Sequence, residues 1–422
     1  MPLRLAILIV AIPFLAGPPL QAAENQYEPA WAGVAPTRVL RHAHSNGDAL
    51  VKAVAALKPG DQLVLAAGVY SVDRLWDIRV SGSLEAPIWI VADKGASVVF
   101  TRSNAKQNVV NIAQDGPVAY LCLRGIEITG GDQGLRLHQC SEVWIDQCHI
   151  HHTDGVCLSA NIASTRKLFL TRNHIHHGSG HGEGMYLGSH DGEHVMSESV
   201  IALNHIHDCG GSQGDGIEIK QGCWGNLIAE NDIHDTNYPC IIAYGTGGRP
   251  VNIIERNLCR RSGDHAIQVT GEAIVRNNVV IGASGSGFAS TDHESKTRNL
   301  QVLHNTIINT GRAFSGSSWN GREGLVVANN VLYSRNKEAL RFPSGDDGVT
   351  IAGNIILGDA PKTGTFKGRG LEDFANLAWD GSAFNAKPTT QAPFDHADAR
   401  YLLEFDFKGE KRKSATSGAL AR

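Results

Sequence analysis

The sequence predicts an all-β solenoid, one long domain of stacked coils, and three observations carry that expectation. The first is a period. An Asn, one residue, then an apolar residue recurs at Asn173, Asn204, Asn231, Asn257, Asn277, Asn305, Asn329 and Asn354, at intervals of 31, 27, 26, 20, 28, 24 and 25 residues. Self-similarity at roughly 20 to 50 residues marks a solenoid or array. The second is the content of each repeat, two short alternating apolar and polar runs with no helical stretch. The third is composition: 47 Gly in 422 residues with 19% charged side chains, which suits a turn-rich β protein rather than a disordered one. Each coil buries its inner face against its neighbours, so length alone does not force several separate cores.

Residues 1–23 read as an export signal. Arg4 gives a positive start, Leu5 to Leu15 form an apolar stretch broken only by Pro13, and Ala22–Ala23 supply small residues for cleavage. That stretch is too short to span a bilayer, and no later segment is long enough. The mature chain is therefore expected to be secreted or periplasmic, without a membrane span, and monomeric. Losing Arg4 takes the formal charge from −4 to −5, so nothing global attracts nucleic acid or other polyanions.

Residues 24–45 form an N-terminal extension. Residues 47–57 show apolar spacing of three and four with Asn46 or Asp48 as N-cap, which predicts a short helix. A helix there would plug the first coil and cover its exposed core and strand edges. Coils then run over 46–360, roughly 10–12 of them at this period, and 361–422 supply the last coil and a closing segment.

The second strand of successive repeats begins at a small residue: Gly134, Gly155, Gly184, Gly216, Cys240 and Ala266. Alternation turns Leu135, Val156, Met185, Ile217, Ile241 and Ile267 inward, and Arg136, Tyr186, Glu218, Lys220 and Tyr244 outward. The inward Asn column reads as structural, amides stacked at a turn that satisfy one another and the backbone. Eight cysteines without a CxxC spacing argue against a zinc knuckle. A mixture of buried thiols and one or two bridges is expected, with Cys259 packing as a core residue in the place of Ile206 and Ile233.

Twelve of the 19 histidines lie between His138 and His207. His149, His174 and His205 share one outward column; His151, His176, His207 and His234 share the next. The preferred reading is a ladder of stacked rings shielding a strand edge, since one flat row lacks the convergence of a metal site; metal ligation is the alternative.

The strongest chemical candidate is an acidic column ahead of the second strand. Asp154, Glu183 and Asp215 occupy corresponding places in three coils, and Glu218 and Lys220 follow on one outer face. Carboxylates within about 10 Å of each other call for a cation or a shared proton, and Ca²⁺ takes carboxylate oxygens. The longest interval contains an insertion, Ser189 to Ser199, expected to leave the same strand end and overhang the acids. It brings His190, Asp191 and His194 as substrate-gripping candidates. Tyr186, Tyr244, Trp224 and Trp319 offer flat surfaces for sugar rings.

This pattern resembles the right-handed parallel β-helix of the pectate-lyase-like superfamily over roughly residues 45–420. The opening PGDQLVLAAGVY and VSGSLEAPIWIVA resembles the start of many exported polysaccharide lyases, and EFDFKGEKR…SGA their closing segment. The resemblance implies a polysaccharide partner, an acidic one, on a scaffold that also hosts hydrolases, epimerases and non-enzymes. Lyases of this superfamily use Lys, Arg or His as base, which points to Lys220. His181 or Tyr244 would be the acid. Asp154, Glu183, Asp215 and Glu218 would hold Ca²⁺, and Arg136 or Arg249 the substrate carboxylates. Neither the spaced Lys-then-Arg arrangement of the chondroitinase B and alginate-lyase group nor the Asp-rich motif of plant-type pectate lyases is present. The alternative is hydrolysis: HTDG, GHGEG and GIEIK loosely resemble polygalacturonase motifs, with Asp154, Glu183 and Asp215 dividing the acid and base roles beside His181. C5 epimerisation and non-catalytic glycan binding complete the alternatives.

Overall fold

In the computed structural model, which describes residues 26–421, each coil runs through three strands and hands one to each of three parallel sheets. The first sheet has 14 strands, the second 13 and the third 11. One coil reads Cys140–Asp146, His149–Thr153, Leu158–Ala160, and the next Thr165–Thr171, His174–Gly178, Met185–Leu187. The expected signal segment lies outside the described residues. Among the described residues no helix is long and apolar enough to cross a membrane.

Among the described residues the one α-helix, Gly47–Ala55, caps the first coil. Asn46 accepts the Ala49 N–H at 2.9 Å, so Asn46 rather than Asp48 is the N-cap, and Leu50 and Val54 are buried. Both join the continuous apolar core that runs along the rod axis through Leu135, Met185, Ile217, Ile241 and Ile267. The extension before the helix lies along the outside of the first sheet. There Trp31 packs on Trp89 and Trp144, and the Tyr27 hydroxyl donates to Glu230. At the far end an antiparallel pair, Phe374–Leu377 with Phe384–Pro388, and the chain after it fold back over the second sheet.

The Asn column is an inward ladder at the bend between the first and second sheets. Asn204 Nδ2 donates to Asn231 Oδ1 at 2.9 Å, Asn231 Nδ2 to Asn257 Oδ1 at 2.9 Å, and the same Oδ1 atoms accept backbone N–H groups. Two members differ from the sequence expectation. The ladder passes through Asn278 and Asn330, not Asn277 and Asn329. In every such coil the residue before the ladder Asn is left-handed, as at Arg172, Leu203, Glu230 and Arg256. Asn277 and Asn329 fill that position at φ of 54° and 59°, a conformation Asn tolerates better than most residues. Their side chains turn outward to the C-terminal segment, Asn277 to Phe405 O and Asn329 to Asp398 O.

All eight cysteines are free and buried, so the expected bridges do not form. The thiols serve as small core groups, and Cys259 stands in register with Ile233 and Val280. Trp319 is fully buried against Phe314 and offers no surface to a sugar.

Candidate functional site

The third sheet carries the site because its strands are three residues long and its outward columns stay in register. Arg136, Ser159, Tyr186, Glu218, Ile242 and Gln268 form one column. Two residues beyond Glu218 and Ile242 come Lys220 and Tyr244. Glu183 and Asp215 each stand two residues ahead of a paired position, Met185 and Ile217, and so share a level. Asp154 does not join them. Leu158 pairs with Met185, which puts Val156 at the Glu183 level and leaves Asp154 exposed. The turn from Gly178 to Met185 is two residues longer than that from Thr153 to Leu158, and this extra length defeats a count made back from the strand. The same two-residue difference places Cys157, not Gly155, opposite Gly184.

These side chains line a cleft of about 550 Å³ with His181, Glu183, Tyr186, His190, Asp215, Glu218, Lys220 and Tyr244 in its walls. The insertion leaves the C-terminal end of strand Met185–Leu187, whereas the acids precede it, so the expected shared strand end is corrected. The strand is short enough that His190 still reaches the cleft, where its Nδ1 lies 2.9 Å from Glu294 Oε1. Arg136 lies on the same wall, two coils from Tyr186. Arg249 is exposed and donates to Gly222 O. Trp224 and His194 lie outside the cleft, His194 beside Arg166 and Ser197 in a separate depression over the first sheet.

Lys220 is the centre of the cleft. It faces outward from the strand as alternation predicts, yet it is only 5% exposed. Its Nζ contacts Glu218 Oε1 at 2.7 Å and Glu294 Oε1 at 3.0 Å, and lies 5.3 and 4.9 Å from the ring centres of Tyr186 and Tyr244. Burial alone would lower its pKa, but Glu218, Tyr186 and Glu294 together offset burial and hold the ammonium above its ordinary value.

The carboxylates shift the other way from ordinary acids. Burial, then the Glu218 and Glu183 charges, pushes Asp215 well up; burial also raises Glu183 and Glu218. Burial pushes the Tyr186 hydroxyl up to about 12 and raises Tyr244 as well. Glu294 and His293, which stacks on Tyr244 at 5.4 Å, escaped the sequence reading. They come from a loop after strand Phe288–Ser290, and only the charged run Asp292-His293-Glu294 hints at them.

Three buried carboxylate oxygens, Glu183 Oε2, Asp215 Oδ1 and Glu294 Oε2, have no hydrogen-bond partner. Unsatisfied acceptors around one ammonium are a donor set for a hard cation. Triplets of ligand atoms within 4.8 Å of one another lie elsewhere among the described residues, on the histidine face, so these acids would have to draw together around an ion.

A parallel solenoid whose outer wall holds a cleft of buried acids, one lysine and two tyrosines defines a β-helix protein with an acidic groove on one wall. The chain belongs to the right-handed β-helix family: residues 89–251 and 212–356 match the description "Right handed beta helix region". Among solved structures it is similar to pectate lyase Pel9A, with 17% identity, a TM-score of 0.55 and coverage of 92% of this chain and 98% of that one. It is also similar to XylC in complex with xylose, at 11% identity and a TM-score of 0.60, over 91% of this chain and 98% of that one. At these identities the likeness is one of fold. No curated protein matches the chain by sequence.

Proposed function

We propose that the chain is a polysaccharide lyase that cleaves a uronic-acid-containing glycan by β-elimination in the Lys220 cleft. The observation that carries this reading is the single lysine, held between two tyrosine rings and faced by carboxylates with unpartnered oxygens. The fold likeness to pectate lyase Pel9A supports it. Glu183, Asp215, Glu218 and Glu294 are the residues that would hold Ca²⁺; its contribution, when bound, is positive charge that neutralises the uronate and competes for the carboxylates now paired with Lys220.

Lys220, once neutral, takes the C5 proton, and the C4–O bond breaks as the C4–C5 double bond forms. Tyr244 carries a phenolic proton beside Lys220, which makes it the candidate to protonate the leaving O4; burial raises its pKa, and contact with the departing oxygen must offset that. His181, exposed at the rim, is the other candidate acid. Tyr186 presents a ring face to the sugar and Arg136 extends the binding wall, whereas the Tyr244 ring is buried between His293 and Lys220 and offers none. An exported protein would meet such a substrate outside the cytoplasm.

Hydrolysis remains the second reading, on one observation: Asp215 is buried beside Glu183 and Glu218, and burial with those charges pushes its carboxyl well above the ordinary range, the kind of asymmetry an acid and base pair requires. A panel of pectic, alginate and glycosaminoglycan substrates, with and without chelator, tests both. Chelator-sensitive release of an ultraviolet-absorbing unsaturated product supports the lyase. Reducing ends without that absorbance overturn it in favour of hydrolysis, a changed C5 configuration without cleavage in favour of epimerisation, and neither signal in favour of binding.

A further inference from the structure

The second sheet presents a face of imidazoles that the cleft does not use. Its two columns stack as the sequence suggests: His149 on His174 and His174 on His205 at 4.7 and 4.9 Å, His176 on His207 at 4.8 Å, with ring planes 4°, 5° and 14° apart. Stacking does not account for a second feature. Across the columns the ring nitrogens converge in diagonal pairs, Nε2 to Nε2, at 2.8 Å for His149 and His176, 2.7 Å for His174 and His207, and 3.0 Å for His205 and His234. The donors therefore approach from two columns and two coils, not from one flat row. His205 adds a third nitrogen to the His174 and His207 pair, all three within 4.8 Å.

A third feature fixes which nitrogen carries the proton. His207 Nδ1 lies 2.7 Å from Asp208 Oδ2, and His234 Nδ1 lies 2.6 Å from Asp235 Oδ2. An ionised carboxylate only accepts, so the proton sits on Nδ1 and the Nε2 lone pair points into the cluster. Asp208 reaches back because it occupies the left-handed position of its turn, at φ 49°. A carboxylate behind a histidine with its other nitrogen free is the arrangement that orients metal-binding imidazoles and raises their basicity.

We propose that His174, His205 and His207 bind a divalent transition-metal ion that favours imidazole, such as Zn²⁺, Ni²⁺ or Cu²⁺, with Asp208 as the positioning residue for His207. The donor set suits these borderline ions and not Ca²⁺ or Mg²⁺, which take oxygen. Tetrahedral Zn²⁺ with Zn–N bonds of about 2.0–2.1 Å places its nitrogens roughly 3.3 Å apart, so the 2.7 Å pair opens slightly to admit the ion. His174 now shares a proton from its Nε2; moving it to Nδ1 frees that lone pair without changing the ring's charge.

The flanking charges narrow the choice of site. Arg260 pairs with Asp232, and Arg261 pairs with Asp235 and approaches His234, so cations sit beside the His205, Asp232 and His234 group. On the other side Glu127 engages His151. Within the central trio the Arg260 charge reaches His205, while His174 and His207 pair with each other.

The test is calorimetric titration of untagged, chelator-stripped full chain with Zn²⁺, and Cu²⁺ loading followed by electron paramagnetic resonance. Zn²⁺ should bind with a Kd of about 1 µM or tighter, and the Cu²⁺ spectrum should show nitrogen hyperfine coupling. His174→Gln with His207→Gln should abolish both, and Asp208→Asn should weaken Zn²⁺ about 10- to 100-fold. Lys220→Arg should leave Zn²⁺ affinity unchanged, which separates this site from the cleft. Zn²⁺ binding weaker than about 1 mM, or binding that survives the double substitution in folded protein, overturns the proposal.

Discussion

Asn231→Ala should cost more than most single substitutions, because the ladder gives the buried Asn204 N–H its partner. Asn231 is 1% exposed. Its Oδ1 accepts the Asn204 N–H at 3.0 Å and the Asn204 amide at 2.9 Å; its Nδ2 donates to Ile201 O at 3.0 Å and to Asn257 Oδ1 at 2.9 Å. Alanine orphans the buried Asn204 N–H outright, at about 1–3 kcal/mol, and deletes further side-chain bonds worth about 0.5–1.5 kcal/mol each. Asn204 Nδ2 keeps Leu170 O and Asn231 keeps its own backbone bond to Asn257, so those terms drop out. The expected cost is about 3–5 kcal/mol, a large share of a typical domain's stability. Urea unfolding read by circular dichroism measures it. Asn231→Asp, nearly the same shape, should also destabilise, because it loses both donors and faces the Asn257 oxygen. A cost below about 1 kcal/mol for the alanine variant would mean that water replaces the amide in the bend, and would refute the ladder argument.

Three further outcomes are expected. Lys220→Arg should keep the ion pairs with Glu218 and Glu294 and the thermal midpoint, yet lower turnover about 10²–10⁴-fold because a guanidinium cannot act as base; retention of most activity would remove Lys220 from that role. Asp215→Asn should stabilise the fold at neutral and alkaline pH, by on the order of 1 kcal/mol. A carboxyl group raised in the fold adds stability that is full below its unfolded pKa and lost as pH rises through its folded value, so the gain should vanish near pH 4, as thermal melts across pH would show. The histidine face should make the protein acid-labile. His174 and His176, lowered to about 4 and about 3 chiefly by burial, stay neutral in the fold while the unfolded chain takes up protons below about pH 6.5. Stability is thus full above that pH and falls towards pH 3, by on the order of 1–2 kcal/mol per pH unit after solvent screening; a flat profile over that range would contradict it.

Much of this was legible in residues. Alternation fixed which side chains face the core, because a strand's two faces alternate whatever the coil length. It therefore placed Glu218, Lys220 and Tyr186 on one wall and the histidines on another. Level along the rod was harder, since it depends on turn lengths that vary: the longer Gly178–Met185 turn is what separated Asp154 from Glu183. The doubled Asn277-Asn278 and Asn329-Asn330 were ambiguous because the ladder and the left-handed position before it both favour Asn, and each Asn has an apolar residue two places on. Glu294 left little local trace. It belongs to the site only because stacked coils bring a loop 74 residues away to Lys220. The thiols were readable as core groups but not as unpaired, since pairing depends on distances between coils.

The cleft takes all its side chains from residues 181–294, and within the rod each strand pairs with strands of the adjacent coils; only the terminal segments, which reach Glu230 and Asn277, cross several coils. Recombination that duplicates or deletes a whole turn of the rod upstream changes its length without disturbing that stretch. Loss of a fraction of a turn would rotate every downstream column onto another wall. Inheritance on this architecture is therefore quantised: genes can grow or shrink in units of one complete winding, and the working groove travels as a single block.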